Sequence, residues 1–166
     1  VGDSGWNAGV YRRSAIFGEL ELMFLGQFEH TIDEKGRLTI PSRYRELLNG
    51  GAYITLGFDH NLMVLTGISF VNISESIRST SVTDVDARAL KRFIFSNASW
   101  VEVDRSGRIL IPQWLRNNAK LESAAIVVGA GDYFEIWSPD LWVNQSLQTQ
   151  DPEATARRFS TFNVPL

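Results

Sequence analysis

Two arginines occupy the same chemical setting twice in this chain. Arg37 stands one residue past Gly36 and four past Asp33, and Arg108 stands one past Gly107 and four past Asp104. A guanidinium is a planar fork that donates two parallel hydrogen bonds, either to phosphate oxygens or to the O6 and N7 of guanine. Lys35 lies beside the first fork and Arg105 beside the second. A tight turn closes the Asp-to-Arg separation, so a carboxylate–guanidinium bridge can hold each fork in place. The same bridge would form if its only task were to staple the turn, and spacing alone leaves both readings open. Duplication favours recognition, because a symmetric pair of basic loops is what a repeated polyanion surface requires.

The duplication extends well past the two turns. Laying Phe28–Leu48 over Ser99–Ala119 matches Asp33 with Asp104, Gly36 with Gly107 and Arg37 with Arg108. It also matches Ile40 with Ile111, Pro41 with Pro112 and Arg45 with Arg116. The common string is D-x-x-G-R-h-x-I-P-x-x-h-R, where h is apolar or aromatic. After one inserted residue the match resumes, with Gly57 on Gly129 and Val64 on Ile136. The period exceeds the roughly 20–50 residues of solenoid repeats, so it marks a pair of modules.

Charge follows the same repeat. The chain has 166 residues with 16 basic and 19 acidic side chains, a net charge of −3. Arg43 and Arg45 join Lys35 and Arg37 in one short basic segment, and Arg116 and Lys120 join Arg105 and Arg108 in the other. Both segments are set in an acidic body, which directs any polyanion partner to them. Cysteine is absent, which excludes a disulfide framework, a cysteine nucleophile and a thiolate zinc site. No apolar run approaches the ~20 residues of a membrane span. With 44% hydrophobic and 21% charged residues the chain has ordinary globular usage.

The elements that carry the turns follow from period and punctuation. Phe28, His30 and Ile32 alternate with polar residues, as in a strand. Asp33–Gly36 then reads as a turn, and Arg37–Ile40 as a second strand. Pro41 opens a short helix with Tyr44, Leu47 and Leu48 on its apolar stripe, and Asn49-Gly50-Gly51 ends it. Tyr53–Leu56 and Leu62–Leu65 form a hairpin around residues 57–61. The second copy repeats the order: strands at Trp100–Val103 and Arg108–Ile111, a helix from Pro112, then strands at Ala125–Val128 and Tyr133–Trp137. Between the copies, Ser74–Ser81 reads as a polar loop, and Thr83–Asp86 resembles a capping box ahead of a helix reaching about Ser96. A last short helix starts at Ser138-Pro139, and the tail from Gln148 shows no clear period. Residues 1–22 fit no part of this plan and read as an extension upstream of the functional chain. Met23 stands immediately before the first strand pattern.

Other candidates have plainer explanations. Asp59-His60 falls in a hairpin turn with no second histidine near it, so a metal site is not expected. Gly129-Ala130-Gly131-Asp132 lacks the second half of a dinucleotide fingerprint and reads as a turn. Trp100, Trp114, Trp137 and Trp142 could stack on bases, but their spacing suits a hydrophobic core. An enzyme using Asp33, Glu34 and His30 as acid and base is a further class, without a Ser or Cys partner in view.

Met23-Phe24-Leu25-Gly26, the run from His30 to Pro41, Gly107–Pro112, Asp86-Ala87-Arg88, Lys91-Arg92-Phe93 and Phe134–Ser138 together resemble the MraZ family of bacterial transcriptional regulators. The resemblance covers Met23 to about Leu147. It implies two SpoVT-AbrB-type modules in a mainly β fold with short helices, a double-split, swapped-hairpin β-barrel built from the tandem repeat. The modules would be residues 27–73 and 98–143, joined by a linker with a helix at 74–97 and followed by a C-terminal tail at 144–166. It implies double-stranded DNA as the partner, ring-shaped homo-oligomers, and a cytoplasmic, nucleoid-associated protein without cofactor, metal or small-molecule substrate. The target would be tandem direct repeats in the promoter of the division and cell-wall gene cluster, including the regulator's own gene. The family's D-x-x-x-R arginine contacts DNA and falls here on Arg37 and, by the second copy, on Arg108. Lys35, Arg105, Arg43, Arg45 and Arg116 complete the expected DNA-binding set, with Asp33 and Asp104 orienting the forks. An antitoxin of the same barrel type, whose tail binds a toxin, is the alternative.

Few cations per module give few phosphate contacts, each worth about 0.9 in the salt slope of binding. Several modules linked in one ring would supply affinity through effective concentration, provided operator copies match the module spacing.

Overall fold

A computed structural model describes residues 22–165, so the expectation for the N-terminal extension lies, except for Leu22, outside the described residues. The first copy runs β1 (Gln27–Thr31), β2 (Arg37–Thr39), α1 (Ser42–Leu48), β3 (Gly51–Leu56) and β4 (Leu62–Leu65). Two helices follow, α2 (Gly67–Arg78) and α3 (Val85–Phe95). The second copy runs β5 (Ser99–Glu102), β6 (Arg108–Leu110), α4 (Gln113–Asn118), β7 (Ala124–Gly129) and β8 (Tyr133–Trp137). It ends in α5 (Pro139–Leu147), α6 (Pro152–Phe159) and a 3-10 turn at Ser160–Phe162. The fold is mainly β with several short helices, and each copy has the expected order of strand, turn, strand, helix and hairpin.

Pairing does not respect the division into copies. Six strands form one sheet in the order β1-β7-β8-β4-β3-β5, and β2 pairs with β6 in a separate ladder. Exchanging each strand for its counterpart in the other copy reverses the six-strand order onto itself. Among the described residues the ladders within a copy are the hairpins β3–β4 and β7–β8, with a single bridge between Ile32 and Leu38; β1–β7, β3–β5, β4–β8 and β2–β6 all cross. Neither copy therefore has a sheet of its own. The six-stranded sheet is open, with β1 at one end and β5 at the other.

The core lies where the crossed strands meet. Leu38, Ile40, Ile54, Val64, Ile109, Ile111, Phe134 and Ile136 are fully buried in a single apolar cluster. Burying each such side chain contributes about 1.5–3 kcal/mol. Pro41 and Pro112 sit at the N-caps of α1 and α4 in extended backbone, one residue ahead of the first helical position expected for Pro41. Asn49 ends α1 in the left-handed conformation.

The structure corrects four local expectations. Ser74–Ser81 is not a loop as far as Arg78: α2 runs through it, capped by the Thr66 hydroxyl and held by buried Ile77 and by Phe70 stacked on Tyr53 at 4.2 Å. Ser76 is exposed, Ser69 is half-buried with its hydroxyl donating to the Asp132 carbonyl, and the Ser74 hydroxyl is buried, so packing overrides the weak helix propensity of serine here. The cap of α3 is Asp84, not Thr83: the Asp84 carboxylate accepts from the backbone N–H of Asp86 and of Ala87. The tail contains α6, started by Asp151 and Pro152. Of the tryptophans expected in the core, Trp137 is buried and Trp142 half-buried, but Trp100 and Trp114 are 50% and 51% exposed. Trp100 lies over Gly51, on the outward side of end strand β5, and Trp114 projects from α4 beside buried Leu115.

Candidate nucleic-acid interface

The β2–β6 ladder turns two distant basic segments into one surface. Its register pairs Arg37 with Leu110, Leu38 with Ile109 and Thr39 with Arg108. Side chains alternate between the faces of a ladder, so Arg37, Thr39, Arg108 and Leu110 occupy one face and Leu38 and Ile109 the other. Leu38 and Ile109 are completely buried. The apolar face thus anchors the ladder on the core while the opposite face carries both arginines as diagonal neighbours.

Each arginine is held by the same set of bonds. In the first turn, the Asp33 Oδ1 accepts from the Lys35 N–H at 3.0 Å and the Arg37 N–H at 2.9 Å. In the second, the Asp104 Oδ1 accepts from the Ser106 N–H at 2.9 Å and the Arg108 N–H at 3.0 Å. Arg37 Nε donates to Asp33 Oδ2 at 2.7 Å, and Arg108 Nε to Asp104 Oδ2 at 3.1 Å. Gly36 and Gly107 close the turns at φ +85° and +76°, a region that L side chains rarely adopt. The expected Asp-to-Arg bridges are therefore present in both copies. Both carboxyls are held below the ordinary carboxylate value, first by the backbone N–H of the following arginine. Asp33 is thereby fixed as a charged orienting group, a poor candidate for acid–base work. The His30 imidazole is shifted below its ordinary value, first by burial and then by the charge of Arg45.

The turns are also tied to each other. The Ile40 N–H donates to the Gly107 carbonyl at 2.9 Å, and the Ile111 N–H to the Gly36 carbonyl at 3.0 Å. Arg108 Nη1 reaches Asp33 Oδ2 at 3.5 Å, so one aspartate serves guanidinium groups from both copies. Sequence reasoning misses this joining. The available signal is the retention of Gly, Arg and Ile-Pro at one spacing in both copies, which suits loops that must fit one another.

The remaining expected cations are placed less uniformly. Lys35 and Arg105 are exposed at the tips of the two turns. Arg45 and Arg116 are half-buried, their Nε atoms donating to the carbonyls of Ile40 at 2.8 Å and Ile111 at 3.0 Å. Arg43 is exposed and lines an open hollow of about 520 Å³ with Leu22, Glu46 and Leu47. A second hollow of about 520 Å³, lined by Trp100, Leu110, Pro112 and Trp114 among others, borders β5. Asp59-His60 and Ala130–Asp132 lie in the hairpin turns expected of them, Gly129 being the last residue of β7, and the first turn is organised by Asn61 Oδ1 accepting from the Asp59 N–H. Among the described residues no group of three His, Asp or Glu side chains could hold a metal ion, and no helix is long and apolar enough to cross a membrane.

Comparison with known proteins gives one consistent result. Residues 23–93 and 94–162 each match the family model described as "MraZ protein, putative antitoxin-like". A protein of Thermomicrobium roseum named "Transcriptional regulator MraZ" is 46% identical over 140 residues, covering 84% of this chain and 99% of its own length. Proteins of the same name from Desulfitobacterium hafniense and Moorella thermoacetica are 44% and 43% identical, over 81% and 86% of the chain and 94% and 100% of their own lengths.

Proposed function

The chain belongs to the MraZ family, and from that premise we propose that it is a DNA-binding regulator of transcription that reads duplex DNA with Arg37 and Arg108. The observation that carries the reading is the pair of equivalent Asp–Gly–Arg turns on the outward face of one ladder. Each aspartate occupies the Nε of its arginine, and the Nη groups of Arg37 have no hydrogen-bond partner among the described residues. A bidentate arginine contact of this kind is worth about 1–3 kcal/mol of base discrimination. Lys35, Arg105 and Arg43 add phosphate contacts, which position the protein without reading sequence. In the same reading the crossed β2–β6 ladder, with the bridge between Ile32 and Leu38, is the seam of a swapped-hairpin barrel. The targets are tandem direct repeats upstream of the chain's own operon, in the division and cell-wall cluster, and the site of action is the nucleoid in the cytoplasm.

Assembly into a ring belongs to the same proposal. The ends of the sheet are unlike: β5 carries exposed Trp100 with Leu110 and Trp114 beside it, whereas β1 carries Glu29 and the partly exposed Phe28, with Leu25 nearby. Unpaired strand ends with apolar neighbours invite association, and joining unlike surfaces closes a ring when the rotation permits.

Arg37→Ala is expected to abolish the gel shift of a duplex carrying the chain's own promoter while leaving the thermal transition in place; an unchanged shift removes Arg37 from the interface. Trp100→Glu combined with Trp114→Glu is expected to reduce the assembly to smaller species by light scattering and to weaken promoter binding. Full-size assemblies from that variant would exclude the β5 face from the ring.

A second reading has one observation in its favour. In α6, Arg157 faces Glu153 at 3.9 Å and Arg158 stacks on Phe159, leaving an amphipathic segment that packs chiefly on the following 3-10 turn. Such a tail suits an antitoxin. Deleting residues 152–166 should leave promoter binding intact in the first reading; loss of a co-purifying toxin encoded next door would support the second.

A further inference from the structure

Arg45 and Arg116 occupy a position that neither the repeat nor the charge pattern suggests. Gly36 and Gly107 are both buried although each lies in a turn. What covers them is an arginine from the opposite copy. A Cβ added to Gly107 would meet Arg45 Cζ at 2.5 Å and Cδ at 2.6 Å. One added to Gly36 would meet Arg116 Cζ at 2.5 Å, Nε at 2.7 Å and Nη2 at 2.8 Å. Each guanidinium therefore lies directly on the bare Cα of the other module's turn, in the space that any side chain larger than hydrogen would fill.

Both ends of the contact are fixed. Arg45 Nε donates to the Ile40 carbonyl, and the N–H of that same Ile40 donates to the carbonyl of Gly107, the glycine the guanidinium covers. Arg116, Ile111 and Gly36 repeat the arrangement. The result is two closed three-residue clasps, each spanning the copies, and each ending one residue short of Arg37 or Arg108. A planar guanidinium suits this place because it lies flat on a glycine while donating from Nε; a lysine ammonium has the charge but no plane.

We infer that Arg45 and Arg116 are crossed positioning residues, Arg45 fixing the turn that presents Arg108 and Arg116 fixing the turn that presents Arg37. The inference rests on the reading of those turns as the DNA contacts, but the clasps themselves exist without DNA. Two of the seven cations expected at the interface thus act through another residue.

The test uses the full chain and two readouts. In hydrogen–deuterium exchange of the free protein, Arg45→Lys should speed exchange in residues 104–108 and leave 33–37 at the wild-type rate; Arg116→Lys should do the reverse. Acceleration within the mutated module alone, in neither turn, or throughout the chain overturns the crossing. The second readout is the salt dependence of binding to the promoter duplex. Each Lys variant should bind roughly tenfold more weakly, one bidentate contact's worth, with an unchanged slope. Loss of a phosphate partner would instead lower the slope by about 0.9, and an Arg45→Gln slope lower by that amount overturns the positioning role. Arg45→Lys should also be less than additive with Arg108→Ala and additive with Arg37→Ala. If the wild-type chain shifts no promoter duplex, the DNA reading fails while the exchange result still decides the clasps.

Discussion

The first turn, Asp33–Arg37, and the second, Asp104–Arg108, are alike in backbone and different in charge. Their glycines have nearly equal φ, and their aspartates accept the same pair of backbone N–H groups. Between the fixed positions, however, Glu34-Lys35 stands opposite Arg105-Ser106. In the first turn two acids balance two bases; in the second one acid faces two arginines. Among the described residues, Asp33 also receives a guanidinium from each copy, whereas Asp104 receives only Arg108. The scaffold of the turn is therefore what duplication preserved, and the charge it presents is what diverged. Geometry and partner preference are separable in this molecule.

The comparison can be broken most severely at the glycines. Gly36→Ala and Gly107→Ala each place a side chain in the left-handed region, a cost of about 1–2 kcal/mol, and each pushes a Cβ into the covering guanidinium. Both should lower the thermal transition by similar amounts. A clear inequality between the two melting temperatures would show that the turns are not mechanically equivalent.

A smaller effect should separate the aspartates. Asp33→Asn weakens the hold on both arginines and Asp104→Asn on one, so promoter affinity should fall further for the first. Equal losses in a titration would mean that the 3.5 Å approach of Arg108 to Asp33 contributes nothing. The pH dependence has a definite sign. Both carboxyls are depressed in the fold, so their contribution is complete above the ordinary value of about 4 and is lost as pH falls through the lower folded value. Binding monitored from pH 7 to pH 3 should decline only at the acid end, and in the wild type more than in a chain carrying both Asn replacements.

The smallest effect sharpens the charge difference itself. Glu34→Arg should steepen the salt slope of DNA binding, and Arg105→Glu should flatten it, by about 0.9 for each phosphate newly engaged or released. Slopes that stay fixed in both would place these tips off the DNA.

How much of this can be read in the chain follows from the range of the interactions. The turns are legible because the bonds that shape each one, from Asp33 to the N–H groups of Lys35 and Arg37 and to Arg37 Nε, lie within five residues. The hairpins at residues 57–61 and 129–132 are legible for the same reason. The β2–β6 ladder is not, since nothing near Arg37 indicates that it will lie opposite Leu110. Arg45 and Arg116 differ in kind from their sequence reading, because a cation in a basic segment gives no sign that its guanidinium is already seated on a glycine of the other copy. α2 is hidden by serines whose weak helix propensity is overridden where Phe70 meets Tyr53. Trp100 and Trp114 read as core residues because composition cannot tell the end of a sheet from its centre.

The reversible strand order has a further consequence. Two identical chains exchanging hairpins would be obliged to present matching flanks, and whatever they recognised would have to read the same from either side. Fusing the halves into one polypeptide removes that obligation. With Trp100 where its counterpart has Glu29, and Trp114 where its counterpart has Arg43, the molecule acquires a polarity that an exchange of identical partners could never possess. A string of such units laid along a duplex would point one way.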